Sequence, residues 1–151
     1  MEFNKKNLNR FLFFKLPSAY WSGVRVTKIA GTMCEVCVTH KWFNQNPFNS
    51  MYFAVQAMAA ELSTGALVMK DIKESNRKIS MLVAQNKATF SKKATGKIKF
   101  TCLDGAKIKE AIDKTIETGE GQVFWLDSQG VNSDGVEVSK FSFEWTVRVK
   151  K

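Results

Sequence analysis

The sequence has few of the residues from which common catalytic and metal sites are built. Its 151 residues include one histidine, His40, which is predicted to lie on the apolar face of a strand as a buried ring, so no Ser-His-Asp or Cys-His set is predicted. The nine glycines never approach the Gly-x-Gly-x-x-Gly or Walker spacing, which excludes a glycine-rich phosphate loop. Acidic residues are also scarce. There are 14 of them against 23 lysines and arginines, and the resulting net charge of +9 indicates an anionic partner.

Cysteine is equally sparse. Cys34, Cys37, Cys102 and His40 have the composition of a Cys3His zinc set. Residues three apart on a strand face opposite sides, however, so these side chains are not expected to converge and we predict no metal site. An odd number of cysteines without an export signal predicts reduced thiols and a cytoplasmic protein.

The hydrophobic pattern predicts one α+β domain that occupies residues 1–151, since no repeat or linker divides the chain. A short N-terminal helix with an aromatic face is expected over residues 7–16, and a small amphipathic helix over residues 106–118. Alternating apolar residues predict about six strands, at residues 23–30, 33–43, 79–91, 95–103, 122–127 and 136–150.

The connections between these strands can also be inferred. The first two strands are expected to form a hairpin, and the strands at 79–91 and 95–103 to pair with each other. In the last strand the alternation changes phase near Ser139 and Lys140, which predicts a β-bulge.

Residues 51–69 are apolar on every side, which predicts a long buried helix. Asn49 and Ser50 are expected to cap its N-terminus. Gln56 and Glu61 interrupt the apolar run, and because a carboxylate at mid-bilayer is costly, a membrane span is not expected. The economical arrangement is an antiparallel sheet that wraps around this helix.

Glu61 is the candidate catalytic residue in this helix. An ionised carboxylate is costly to bury, so Glu61 must be paired, protonated or in contact with a wet cleft. Desolvation would raise its pKa towards that of a useful general base. The alternative is a structural glutamate that is paired with a lysine, an arginine or backbone groups.

A resemblance to a known family lies in residues 46–61, which read NPFNSMYFAVQAMAAE. This segment resembles the central helix of hotdog-fold thioesterases, and is most similar to the phenylacetate-type acyl-coenzyme A thioesterases. In those proteins His-Gly-Gly opens the helix, and an acidic residue follows nine positions after the histidine. Here Tyr52, Phe53 and Ala54 stand at His-Gly-Gly and Glu61 stands at the acid, which is typical of a divergent branch of the superfamily.

The resemblance implies a hotdog fold and a homodimer or a dimer of dimers. It implies hydrolysis of a thioester of coenzyme A or of acyl carrier protein, with Glu61 as general base or nucleophile and without a cofactor. Residues around the helix start, and two lysines suited to the phosphates of coenzyme A, would bind the substrate. They are Asn46, Asn49, Ser50, Tyr52, Phe53, Ala54, Gln56, Lys92 and Lys93.

The loss of His-Gly-Gly keeps a second function open, a non-catalytic hotdog module that binds an acyl chain or an acyl carrier. The state of Glu61 separates the two functions. A wet carboxyl with a raised pKa fits catalysis, whereas a dry, lysine-paired carboxyl fits binding alone. Nucleic acid is not an expected partner, because Phe100, Phe141 and Phe143 are predicted to face the core.

Overall fold

A computed structural model describes residues 1–151 and contains one six-stranded antiparallel sheet. The elements in chain order are α1 (Lys5–Lys15), α2 (Pro17–Trp21), β1 (Arg25–Ala30), β2 (Met33–Thr39), a 3-10 turn (Trp42–Asn44), α3 (Phe53–Glu74), β3 (Ile79–Phe90), β4 (Lys97–Cys102), α4 (Gly105–Thr118), β5 (Gln122–Val131) and β6 (Glu137–Val149). The strand order is β1-β2-β4-β5-β6-β3. The predicted α+β class and the sheet of about six strands around a central helix are confirmed.

Helix α3 is enclosed by the concave side of the sheet. It packs against β1, β2, β4, β5 and β6, and α4 covers another side. Every residue from Leu62 to Val68 is buried, as expected for a helix that is apolar all round. The helix also continues to Glu74, because the charged residues after Met69 extend it beyond the core instead of ending it.

The start of α3 differs from the prediction that Asn49 and Ser50 cap it. The helix begins at Phe53, and Tyr52 precedes it without a side-chain capping bond. The reason is that Asn46 holds the preceding residues in a separate turn. Its Oδ1 accepts hydrogen bonds from the backbone N–H of Phe48 at 2.9 Å and of Ser50 at 3.2 Å. Asn49 sits inside this turn with a left-handed φ of 57°.

Strand pairing differs from the prediction in one respect. The hairpin of β1 and β2 is confirmed, but β3 does not pair with β4. Instead β3 pairs only with β6, and β4 lies between β2 and β5. The alternation along β3 is compatible with pairing to β4 or to β6. The prediction of β4 relied only on its closeness in sequence and was wrong. The bulge predicted near Ser139 is present, because Val138 has no partner where Gly130 pairs with Ser139 and Val131 with Glu137.

The two edges of the sheet differ in protection. At the β1 edge, the side chain of Asn9 in α1 forms hydrogen bonds with the backbone N–H and carbonyl groups of Val26. Its Oδ1 accepts from the Val26 N–H at 2.8 Å and its Nδ2 donates to the Val26 carbonyl at 2.9 Å. The β3 edge has no such cover, and of the 12 residues in β3 only Lys87 is charged. An open edge of this length is a template for pairing with another strand.

Helix α4 is fixed at both ends. It ends at Gly119, whose φ of 74° favours glycine, as the sequence predicted. The carboxylate of Asp104 does not cap the helix but accepts a hydrogen bond from the Asp127 N–H at 2.8 Å. Gly105, the first residue of α4, lies against the turn between β1 and β2, and its N–H donates to the Thr32 carbonyl at 3.0 Å.

This close approach predicts that Gly105→Ala destabilises the protein. The added Cβ would lie 2.5 Å from the Thr32 Cα and 2.7 Å from its oxygen, and backbone atoms cannot rotate away. We expect a loss of about 2 kcal/mol or more in the free energy of unfolding, measured by urea denaturation. Gly121→Ala is the matched control, because its Cβ would meet nothing nearer than 3.9 Å. An equal loss in both variants would contradict the assignment.

Candidate active site

Glu61 lies on the part of α3 that faces the α1–α2 corner. It lines a cavity of about 300 Å³ together with Met58 and Leu62 of α3, and Lys15 and Ser18 contribute from the corner. No side chain within hydrogen-bonding or ion-pairing distance compensates its carboxylate, and burial alone raises its pKa from the ordinary 4.5 to about 7. The residue is therefore a desolvated but accessible acid that titrates near neutral pH.

The carboxylate of Glu61 and the indole of Trp145 both lie against Gly65 of α3. A Cβ on Gly65 would lie 3.2 Å from the Glu61 Oε1 and 3.2 Å from the Trp145 Cζ2, so the glycine provides the space in which they pack. The indole is itself fixed, because its Nε1 donates to the Thr64 Oγ1 at 3.0 Å and that hydroxyl donates to the Glu61 carbonyl at 2.8 Å. This packing explains the desolvation of Glu61.

A second cavity, of about 550 Å³, opens at the N-terminus of α3. It contains seven of the nine residues predicted to bind substrate. They are Asn46, Ser50, Tyr52, Phe53, Gln56, Lys92 and Lys93. Asn49 and Ala54 lie next to this cavity in sequence but their side chains do not line it. The structure therefore brings most of the predicted binding residues together, at a distance from Glu61.

Two backbone N–H groups and one side-chain amide oxygen at this helix start have no hydrogen-bond partner in the chain. The N–H groups of Phe53 and Ala54 donate to no acceptor in the chain. Gln56 is only 4% exposed, and its Oε1 has no hydrogen-bond partner. Unsatisfied buried polar groups are uncommon, and the free N–H groups at a helix N-terminus favour a negatively charged or polar ligand atom. The cavity thus has the donors needed to bind an oxyanion.

Aromatic rings surround this cavity. Two of them belong to Tyr52 and Phe53, which stand where the thioesterases that this segment resembles have His and Gly. Phe53 is exposed, and its ring contacts those of Tyr52 and Phe90 edge to face, with centroid separations of 5.1 and 6.4 Å. Lys93 reaches the Phe48 carbonyl at 3.5 Å. The cavity is therefore an aromatic opening with two lysines, Lys92 and Lys93, at its border.

Three features of the surroundings of Glu61 were not predicted from the sequence. Gly65 and Trp145 were not identified, and neither was α2 with Pro17 and Ser18. The spacing of Gly65 four residues after Glu61 placed it on the same helix face and was a usable signal. Trp145 and α2 are distant in sequence from Glu61, and no local pattern connects them to it.

None of the helices has the combination of length and apolar character needed to cross a membrane. No curated protein matches the chain by sequence. The sequence model of DUF4442, a domain of unknown function, matches residues 4–147.

Solved structures similar to this chain cover nearly all of it. PA5026 from Pseudomonas aeruginosa, described as a probable thioesterase of unknown function, is 23% identical, with 96% of each chain covered and a TM-score of 0.81. OLEI01261 from Chlorobaculum tepidum, of unknown function, is 16% identical over 97% of this chain and 94% of its own, with a TM-score of 0.83. Thioesterase HI1161 from Haemophilus influenzae is 12% identical over 99% and 93%, with a TM-score of 0.73. The chain therefore belongs to the DUF4442 family and has the hotdog fold of thioesterase-like proteins.

Proposed function

We propose that this protein hydrolyses an acyl thioester of coenzyme A or of acyl carrier protein, with Glu61 as the catalytic carboxylate. The observation that carries the proposal is the uncompensated carboxyl of Glu61, whose pKa burial raises to about 7. A structural glutamate would be paired, whereas an acid that is half ionised near neutral pH is suited to proton transfer.

The reaction uses this carboxylate to activate water. Glu61 accepts a proton from a water molecule as the water oxygen attacks the thioester carbonyl carbon. When the tetrahedral intermediate collapses, the C–S bond breaks and the thiolate takes the proton from Glu61, which leaves the free acid and the thiol. As a nucleophile, the same carboxylate would form a mixed anhydride, release the thiolate and be regenerated by water.

The cavity at the start of α3 supplies the remaining interactions. The N–H groups of Phe53 and Ala54 stabilise the oxyanion, and the amide of Gln56 positions the substrate. Asn46 and Ser50 maintain the turn that exposes these donors, with 2.9 Å between the Asn46 Nδ2 and the Ser50 Oγ. Lys92 and Lys93 bind phosphate groups of the carrier, and Tyr52 lines the entry. Direct contact of Asn49 with substrate remains a prediction from the sequence.

One chain cannot bring Glu61 and the oxyanion donors to the same carbonyl group. Phe53 and Glu61 are eight residues apart on one helix, which separates them by about 12 Å along its axis. Both must lie within about 3 Å of the reacting atoms. A homodimer solves this problem if each site combines Glu61 of one copy with the α3 N-terminus of the other.

The open edge of the sheet supports such a dimer. Strand β3 leaves its outer backbone groups unpaired, and Leu82 on it is exposed, whereas Asn9 covers the opposite edge at β1. Antiparallel pairing of β3 with its copy would form a continuous sheet across a twofold axis. A dimer of dimers is compatible with the same contact.

Replacing the carboxylate tests the catalytic role directly. We expect Glu61→Gln to lower thiol release from short, long and aromatic acyl-coenzyme A substrates by at least about 100-fold. In the wild type kcat/KM should fall as pH decreases through about 7, because the base becomes protonated. Glu74→Gln, on the exposed end of the same helix, is the control and should retain activity. Equal activity of Glu61→Gln and wild type would exclude the role.

Subunit mixing tests the shared site. Phe53→Pro removes one oxyanion donor at the first helical position, where proline is tolerated because Tyr52 already has an extended ψ of 134°. Phe53→Ala is the control that keeps the N–H. Phe53→Pro and Glu61→Gln should each be inactive alone, but their mixture should recover about a quarter of wild-type activity, since half of the subunit pairs have one intact site.

The outcomes of these assays separate the candidate functions. No recovery on mixing, with mixed dimers confirmed, would contradict the pairing of Glu61 of one copy with the oxyanion donors of the other. No thiol release by the wild type from either carrier would favour the non-catalytic acyl-binding module, which the exposed rings of Phe53 and Tyr52 at the cavity opening would suit.

A further inference from the structure

The N-terminal part of the chain carries positive charge without any negative charge. Between Glu2 and Glu35 there is no acidic residue. The cations in this stretch are Lys5, Lys6, Arg10, Lys15, Arg25 and Lys28. A second stretch without acids, residues 75–103, carries seven cations. One of them, Lys99, is paired with Glu35, whereas the six cations between Glu2 and Glu35 form no ion pair. The elements α1, α2 and β1 therefore carry positive charge that no acid of the protein neutralises.

Large aromatic side chains project from the same elements. Helix α1 buries only Leu8 and Leu12, so Phe13 and Phe14 point outwards with Lys6 and Arg10. Phe14 is 70% exposed, and Trp21 at the end of α2 is 60% exposed. We call the outward side formed by Lys6, Arg10, Phe13, Phe14, Lys15 and Trp21 the basic aromatic surface. A contiguous exposed patch of large apolar side chains, unlike a single exposed residue, marks an interaction site.

The rings on this surface form a rigid cluster. Phe13 packs edge to face against Phe14 at 4.9 Å and against Tyr20 at 5.1 Å, and Tyr20 packs against Trp21 at 6.1 Å. The guanidinium of Arg25 lies 3.5 Å from the centre of the Tyr20 ring. These contacts fix the rings in place, so their exposure does not result from free side-chain rotation.

We propose that the basic aromatic surface docks the protein onto an anionic lipid bilayer. Lysine and arginine side chains are attracted to anionic headgroups, and tryptophan and phenylalanine insert at the boundary between headgroups and acyl chains. A bilayer offers both environments next to each other, which suits a surface that combines cations with exposed rings. The proposal does not depend on the catalytic role of Glu61.

Single-stranded nucleic acid fits this surface less well. Such a strand needs flat ring faces for base stacking and a groove for its backbone. Here the rings already pack against one another edge to face, which leaves few free ring faces for bases to stack on. An acidic protein would also satisfy the cations, and binding to such a protein instead of to vesicles would overturn the proposal.

Vesicle co-sedimentation tests the proposal with the full chain. At about 0.1 M salt, the wild type should bind vesicles containing phosphatidylglycerol at least about tenfold better than vesicles of phosphatidylcholine alone. Arg10→Glu with Lys15→Glu, and separately Phe14→Ser with Trp21→Ser, should each reduce binding at least about tenfold.

Matched controls change the same properties elsewhere on the protein. Lys78→Glu with Lys114→Glu makes the same change in net charge on exposed residues outside the surface. Leu103→Ser with Val123→Ser removes apolar side chains that are 69% and 60% exposed. Both controls should keep vesicle binding within about twofold of the wild type, and an unchanged circular dichroism spectrum confirms that each variant is folded.

Three results would overturn the proposal. The first is no preference of the wild type for anionic vesicles. The second is an equal loss of binding in the control variants, which would assign the attraction to net charge alone. The third is that the protein binds an acidic acyl carrier protein or single-stranded DNA through Arg10 and Phe14 while it does not bind vesicles.

Discussion

The burial of α3 on almost every side is the constraint on which the structure depends. Because the helix offers apolar groups all around, the sheet must curve and enclose it, and α4 must close the remaining side. The same enclosure removes water from Glu61. Its carboxylate lies against Gly65, next to which the indole of Trp145 also packs, and has no counter-charge. The fold and the raised pKa of Glu61 therefore have one physical cause, the removal of water along α3.

This arrangement has a cost in stability that depends on pH. The ordinary pKa of Glu61 is 4.5, and burial raises its pKa in the folded protein to about 7. Between these values the unfolded chain ionises while the folded chain keeps the proton, so the free energy of unfolding falls as pH rises. A glutamine at this position would avoid the loss. The presence of an acid that destabilises the folded state at neutral pH supports a role in chemistry.

Sequence patterns were informative where a signal is local. The all-round apolarity of residues 51–69 predicted the buried helix, and the change of phase before Phe141 predicted the bulge at Val138. The partner of β3 was predicted wrongly, because pairing with β6 depends on the whole sheet and leaves no local mark. The turn built by Asn46 similarly moved the start of α3 to Phe53, since one amide side chain replaced the expected cap.

The residues of the candidate site could be proposed from the sequence, but their positions relative to one another could not. Helix position and residue type identified Glu61 and most residues around the α3 N-terminus. Their separation into two cavities follows from the length of the helix, and the role of Trp145 follows from a tertiary contact that spans 81 residues of sequence to Thr64. The surfaces to which we assign candidate functions are thus distributed over the protein. The Glu61 cavity, the open β3 edge and the basic aromatic surface lie on different elements that surround α3.

The most direct test of the account is a titration of the Glu61 carboxyl itself. Carbon-13 NMR of the protein labelled at glutamate side-chain carboxyl carbons would follow each resonance with pH, and the spectrum of Glu61→Gln would assign the signal of Glu61. The account predicts a pKa of about 7 for Glu61. A pKa at or below the ordinary value of 4.5 would show that the carboxylate is solvated or paired with a cation, and would contradict the central claim.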